Sequence, residues 1–291
     1  MKRVLITGAD SYVGSSVEAY LRQFPDRYEV ETVDMKDKSW RERSFAGFDT
    51  VYHVAGITHA DSGRTTAERR ALYYRVNCDL AIETAKKAKA EGVKQFIFMS
   101  SVIVYGDSAP VGKEKTITPK TETGPSSCYG DSKLQAEHGL RPLESEEFRL
   151  VILRAPMIYG KGSKGNYPVI SQMAQRLPFF PAVSNNRSML YIGNLTEFVR
   201  LMIENEEHGT FFPQNAEYSN TSELVMRIAQ AHGKKILLLR GFTWALRLLS
   251  HVTGLVNKAF GSLTYEQSMS EYKENYRRYT LAESIRLTEA E

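Results

Sequence analysis

Cysteine is scarce in this chain of 291 residues. Cys78 and Cys128 lie far apart and form no C-x-x-C unit, so neither a disulfide scaffold nor a zinc site is indicated, and both suit a reducing cytoplasm. The six histidines show no H-x-x-x-H spacing, and no metal is expected. Long apolar runs are missing too: none reaches the length of about 18 residues that spans a bilayer, and Val4-Leu5-Ile6 is too brief for a signal peptide. Neither sign of charge dominates. The net charge of +4 is mild; it fits a small anionic ligand and gives no argument for nucleic acid. Internal repeats and low-complexity segments are absent. What remains is 42% hydrophobic and 25% charged, an ordinary soluble globular composition with room for one large domain or two modest ones.

The order of elements predicts an α/β, doubly wound parallel sheet. Val4-Leu5-Ile6 reads as a buried strand and Ser15 to Phe24 as a helix, joined by Thr7-Gly8-Ala9-Asp10-Ser11-Tyr12-Val13-Gly14. Such a junction aims helix N-terminal amides at a pyrophosphate and lets the backbone approach it. The glycine usual three residues after Gly8 is here Ser11, which implies a slightly different turn. A second strand, Glu29 to Val33, ends at Asp34. A carboxylate there can accept hydrogen bonds from a ribose diol and repel a 2′-phosphate, favouring NAD over NADP; its structural alternative is a solvated strand end. The gap before the next strand, Asp49 to Gly56, is too short for a full strand–helix–strand excursion. The third strand, near Ser39-Trp40, should therefore be vestigial and its helix absent.

Thr65 to Gly92 has helical spacing and carries Asn77, either a satisfied core amide or a site residue. Gln95 to Met99 is a continuous apolar strand running into Ser100-Ser101, and ligands in open parallel sheets sit beyond such strand ends. A loop from Asp107 to Pro125 leads to Cys128-Tyr129-Gly130-Asp131-Ser132-Lys133 and a helix extending to about Glu146. Tyr129 and Lys133 are four residues apart, so phenol and ammonium stand one above the other, about 5–6 Å apart at Cβ. A free tyrosine has a pKa near 10, and a neighbouring ammonium offsets part of the roughly 4 kcal/mol that ionisation at pH 7 demands. Phe148 to Leu153 is a further strand. Beyond Arg154 the composition shifts toward Pro, Gly and Asn, the entrance to a second region with helices at Asn194 to Glu204 and Leu224 to His232. Phe242 to Phe260 is strongly apolar, interrupted by Arg247, His251 and Gly254. It could lie on a membrane surface, but a buried lid helix is the expectation.

Together, the turn Gly8 to Gly14, Asp34, Val54-Ala55-Gly56, Asn77, Ser100-Ser101 with Val104-Tyr105-Gly106, and Tyr129-x-x-x-Lys133 resemble the extended short-chain dehydrogenase/reductases. More narrowly they look like the NAD-dependent epimerase/dehydratase family acting on nucleotide sugars, and the downstream half resembles members that build bacterial capsule and surface-polysaccharide precursors. The resemblance implies a Rossmann-type domain over 1–155, with 187–205 packing back on it, and a smaller substrate-binding region over 156–291. It implies catalysis by Ser101, Tyr129 and Lys133, with Tyr129 moving a proton, Lys133 binding the nicotinamide ribose and lowering the tyrosine pKa, and Ser101 orienting the same sugar oxygen. NAD contacts are implied for Gly8, Ser11, Tyr12, Val13, Gly14, Asp34, Val54, Ala55, Gly56, Asn77, Tyr129, Lys133 and Pro156. Arg187, within a segment similar to the one that holds the sugar diphosphate, and Asn166, in a uridine-side loop, join Ser101 as implied substrate contacts. Sugar 4,6-dehydratases carry Thr-Asp-Glu where this chain has Ser101-Val102-Ile103, which disfavours dehydration. Met157 stands three residues after Arg154, where many epimerases have an asparagine. A UDP-sugar 4-epimerase is thus expected; the alternatives are a 4-keto-6-deoxy sugar reductase and a non-catalytic dinucleotide sensor. The family's cytoplasmic homodimer, formed through a four-helix bundle of helices around 70–91 and 130–146, is the expected assembly.

Overall fold

The computed structural model describes residues 1–58, 66–252 and 254–290, which form two compact units. The first comprises Met1–Gly106, Thr123–Ala155 and Leu195–Phe212; the second comprises Asp107–Glu122, Pro156–Asn194 and Pro213–Glu291. The loop 107–122 therefore belongs with the second unit, and the late segment returning to the first is 195–212 where 187–205 was expected.

The first unit is built on six parallel strands: β1 (Lys2–Thr7), β2 (Tyr28–Val33), β3 (Thr50–His53), β4 (Gln95–Ser101), β5 (Arg149–Ala155) and β6 (Gly209–Phe211). They lie in the order β6-β5-β4-β3-β1-β2. The chain winds from β1 outward to β2, then returns to the other side of β1 as β3. That reversal opens a crevice at the carboxyl ends of β1 and β3, the place where open α/β sheets bind ligands. β3, β4 and β5 are buried along almost their whole length, which is why they read as continuous apolar runs. Helices α1 (Tyr12–Leu21), α2 (Ala67–Tyr73), α3 (Leu80–Ala90), α4 (Cys128–Leu140) and α5 (Ile192–Glu204, of the first unit from Leu195 onward) complete it. The long helix expected from Thr65 begins at Ala67, Thr65 itself lying outside the described residues, and a π-helical turn over Tyr74–Asp79 separates α2 from α3.

The expected vestigial strand near Ser39-Trp40 is not a strand. Ser39–Arg41 forms a 3-10 turn, and the shortened excursion survives as an apolar plug: Trp40, Phe45 and Phe48 are buried against Leu5, Val33, Ala81 and Phe96. Large aromatic groups fill the space that a strand and helix would have taken. α4 also stops earlier than expected, at Leu140, followed by a 3-10 turn at Arg141–Leu143 that contains Pro142.

The second unit has three short parallel strand pairs, Met157–Tyr159 with Met189–Tyr191, Thr116–Ile117 with Thr264–Tyr265, and Phe179–Pro181 with Leu237–Leu239. Its core gathers Tyr159, Tyr167 and Ile170 with Leu224, Ile228, Leu281 and Ile285. The last two come from the helix Leu281–Glu289, whose start is fixed by a capping box between Thr280 and Glu283. The apolar stretch from Phe242 is two helices, Thr243–Val252 and Gly254–Phe260, residue 253 lying outside the described residues. It is not a buried lid: Phe242, Trp244, Leu248 and Leu249 are all exposed.

Candidate active site

Thr7, His53 and Phe98 are register partners across β1, β3 and β4. The glycine turn leaves the sheet here. Gly8 has φ +83°, and a Cβ on it would stand 2.9 Å from the Ala55 backbone, so the turn and the segment Val54-Ala55-Gly56 meet backbone to backbone. The left-handed conformation expected of a middle glycine is taken by Asp10, at φ 65°. Ser11 sits at φ −73° and needs no glycine; its hydroxyl accepts the Gly14 amide at 3.1 Å and caps α1. Tyr12 and Val13 open α1, whose first turn holds no acidic side chain, so its N-terminal dipole is left positive. Asp34, just past β2, is exposed and accepts the Lys36 amide at 3.0 Å.

Asn77 lies in the π-helical turn, fully buried. Its Oδ1 accepts the Ile57 amide at 2.9 Å, and its Nδ2 donates to the Ile57 carbonyl at 3.0 Å and to Ser132 Oγ at 3.2 Å. The Ser132 hydroxyl donates to the Tyr129 carbonyl at 2.8 Å. The amide is thus satisfied in the core and, through the same bonds, ties the loop after β3 to α4. π turns recur at such places because the extra residue redirects one side chain out of helical register.

α4 is capped by Ser127, whose hydroxyl accepts the Gly130 amide at 3.1 Å. Gly130 allows its close approach to the 3-10 turn Val102–Tyr105, since a Cβ there would lie 2.8 Å from the Ile103 carbonyl oxygen. That approach lets the half-buried Ser101 and Tyr129 side chains hydrogen-bond to each other. Burial pushes the phenol up to about 12, the Ser101 bond pulls it down, and nearby Tyr73 raises it. One turn on, Lys133 is buried, donates to the Met99 carbonyl at 2.8 Å and lies 4.7 Å from the Phe98 ring centroid. Burial pushes its ammonium down to about 8, and Glu137 one further turn away pulls it up. Lys133 is not among the groups that shift the phenol, so the lowering of the tyrosine pKa expected of it is not seen here.

The sequence reading missed what stands behind this pair. Glu137, with no exposed surface, accepts from Ser100 Oγ at 2.5 Å and from Arg154 at 2.6 Å, while Arg154 Nη1 donates to the Tyr105 hydroxyl at 2.6 Å. The available signal was spacing: Tyr129, Lys133 and Glu137 follow one another at four-residue intervals on one helix face. His53 was also missed. Its Nδ1 bonds the Thr7 hydroxyl at 2.8 Å, its ring stacks with both Phe96 and Phe98, and burial above all pushes its pKa down to about 3, so it is neutral.

The remaining sequence-derived residues belong to the second unit. Pro156 is buried between β5 and Met157–Tyr159; Asn166 is exposed at the start of the helix Asn166–Arg176. Arg187 is half-buried, bridges through its backbone to Ser219 and Leu263, and donates from Nη1 to the Gly261 carbonyl at 3.4 Å. Among the described residues no group of three or more His, Cys, Asp or Glu could hold a metal ion, and no helix is long and apolar enough to cross a membrane.

Residues 4–212 match the sequence model of a family described as NAD dependent epimerase/dehydratase. A UDP-glucose 4-epimerase of Vibrio cholerae is 28% identical over 92% of this chain and 88% of its own length. An N-acetyl-alpha-D-glucosaminyl-diphospho-ditrans,octacis-undecaprenol 4-epimerase of Escherichia coli O157:H7 is 31% identical over 80% and 73%. Among solved structures, the UDP-glucuronic acid 4-epimerase of Bacillus cereus in complex with NAD aligns with a TM-score of 0.71 over 98% of this chain and 94% of its own, at 17% identity, a likeness of fold.

Proposed function

The chain belongs to the NAD dependent epimerase/dehydratase family, and on that premise we propose that it inverts C4 of a diphosphate-linked sugar by reversible oxidation at that carbon. The observation that carries this reading is the hydrogen bond between Ser101 and Tyr129, with the buried Lys133 one helical turn away. The residues fit NAD. A Cβ at Gly8 would strike the Ala55 backbone at 2.9 Å and one at Gly14 the Ser11 hydroxyl at 2.5 Å, so the turn at the head of α1 stays bare of side chains at both positions, and the exposed Asp34 stands where a ribose diol would be met. Gly8, Ser11, Tyr12, Val13 and Gly14 would hold the pyrophosphate, and Val54, Ala55, Gly56 and Asn77 would line the crevice. Lys133 would bind the nicotinamide ribose, and the family resemblance adds Pro156 as a cofactor contact. NAD, when bound, supplies the hydride exchange at C4.

The chain's own residues manage the proton. Ser101 orients the C4 oxygen, and Tyr129 as phenolate takes the proton of the C4 alcohol, becoming the phenol that returns it once the ketone has presented its other face. A phenol held at about 12 faces an ionisation cost of about 7 kcal/mol at pH 7. The Ser101 hydrogen bond offsets part of that cost. Val102 and Ile103 carry no proton-transferring group, which argues against dehydration. Arg187 and Asn166 would hold the diphosphate and uridine of a UDP-sugar, the substrate class in the V. cholerae relative's name. A second reading, a sugar diphosphate on a polyprenol, follows the E. coli relative's name and is favoured by the exposed apolar helix Thr243–Val252. We place the enzyme in the cytoplasm as a homodimer whose bundle pairs α2–α3 and α4 with a second copy.

The test is NMR of the purified protein with UDP-glucose or UDP-N-acetylglucosamine and no added reductant. The C4 epimer should accumulate, and Tyr129→Phe should slow its formation by about 10²–10⁴. Wild-type protein that binds NAD yet leaves every such sugar unchanged would overturn the reading.

A further inference from the structure

The second unit carries a surface that the chemistry above does not use. In the helix Thr243–Val252, Leu246 turns inward against the buried cluster of Val111, Val183 and Val256. Trp244 and Leu248 lie two residues to either side of Leu246, hence on the opposite face, and are 66% and 63% exposed. The helix is strongly apolar but interrupted by Arg247 and His251, and Trp244, Leu248 and Leu249 on it are exposed. Arg247 anchors it through the Val111 carbonyl at 3.3 Å. Just upstream, the register partners Leu237 and Phe179 are exposed as well.

Charge tells which occupant this surface fits. From Leu224 to Tyr265 there is no Asp or Glu; Arg227 is paired with Glu223 at 2.6 Å, while Lys234, Lys235, Arg240, Arg247 and Lys258 add further basic residues. Lys235 and Arg240 are exposed in the stretch leading to this helix, as is Lys234, whose ammonium donates to the Gln175 carbonyl at 2.6 Å. Protein interfaces are depleted of lysine, whereas exposed apolar and aromatic groups interleaved with Lys and Arg, without acids, complement an anionic lipid headgroup layer. We propose that the second unit docks on an anionic bilayer through this segment. The helix Thr243–Val252 lies in the headgroup plane, with Trp244 and Leu248 at the acyl boundary and the basic side chains on lipid phosphates. Its ten residues are too few to span a bilayer. The inference rests on the unit's own surface and holds whichever sugar carrier is used.

The protein carries its own reporter, since its other tryptophan, Trp40, is 1% exposed. Full-length protein is mixed with vesicles of phosphatidylcholine, with or without phosphatidylglycerol, and read by tryptophan emission and flotation. Anionic vesicles should shift the Trp244 emission to the blue and carry the protein upward; neutral vesicles should do so weakly. Leu248→Ser should cut partitioning about tenfold. Each of Lys234→Glu, Lys235→Glu and Arg240→Glu should cut it about fivefold or more on anionic vesicles alone. Far-UV circular dichroism and NAD titration confirm that each variant is folded. Absence of any shift, equal binding to neutral vesicles, or burial of Trp244 with a doubled mass in lipid-free solution would each overturn the proposal, the last in favour of a second copy. None of these readouts needs turnover, so failure here is separable from failure of the epimerase assignment.

Discussion

Lys133 is an ammonium group held out of water, with the Met99 carbonyl and the Phe98 ring as its immediate partners, and burial has moved its pKa from 10.5 to about 8. The unfolded chain binds that proton more tightly than the folded one does. Between pH 8 and 10.5, therefore, unfolding takes up a proton, and stability rises with pH across this window and is lost as pH falls through 8. The full difference of about 2.5 units corresponds to about 3 kcal/mol, of which about 1.3 kcal/mol is regained between pH 7 and pH 9. Lys133→Met keeps an unbranched side chain of similar length and removes the titration. Urea unfolding at both pH values, on wild type and variant, isolates the residue, because every other group titrates alike in the two proteins. The wild type should gain about 1 kcal/mol relative to the variant on going from pH 7 to 9. Parallel stability curves would show that the lysine titrates normally and that the site does not hold a desolvated cation.

Asp34→Asn removes the charge that would face a 2′-phosphate, so the preference for NAD over NADP should fall by about tenfold in a cofactor titration. An unchanged ratio would detach Asp34 from cofactor choice. Gly130→Ala places a Cβ 2.8 Å from the Ile103 carbonyl and must push α4 away from the turn that follows Ser101. We expect a loss of about 1–3 kcal/mol in thermal or urea unfolding together with slower turnover. Glu137→Leu strands the buried Arg154 guanidinium and should cost about 3–5 kcal/mol, visible as a lowered unfolding midpoint. A loss under 1 kcal/mol would mean that Arg154 finds another partner.

Strands β1, β3, β4 and β5 were legible as short continuous apolar runs, whereas the three-residue β6 was not read from the sequence; Ser101, Tyr129 and Lys133 were singled out by residue type and spacing taken together. What was hidden depended on packing that periodicity does not record. Ser11 looks like a defect in a glycine pattern until the turn shows it capping α1 while Asp10 takes the strained conformation. Ser39-Trp40 suggested a remnant strand, yet Trp40 is buried with Phe45 and Phe48 as a plug, a role fixed by the space around them. The π turn at Asn77 leaves no compositional trace. For the apolar stretch from Phe242, hydrophobicity alone could not distinguish a buried lid from an outward surface; the burial of Leu246 opposite Trp244 and Leu248 does. Pro156, Asn166 and Arg187 remain assignments by likeness, since each lies in the second unit.

The shortened excursion after Asp34 has a consequence for how the protein survives at concentration. Among the described residues no strand lies beyond β2, which is thus the margin of the sheet, and a bare margin is a template on which another chain can add itself. Glu29 and Glu31 alternate along it, each paired with Arg3, and Arg43 reaches over to donate to the Thr32 carbonyl at 2.9 Å while also engaging Glu31. A guanidinium thus occupies a position that a neighbouring strand's amide would otherwise claim. The residues that replaced the lost strand and helix in the interior are apolar; those that replaced them at the rim are gatekeepers against self-association.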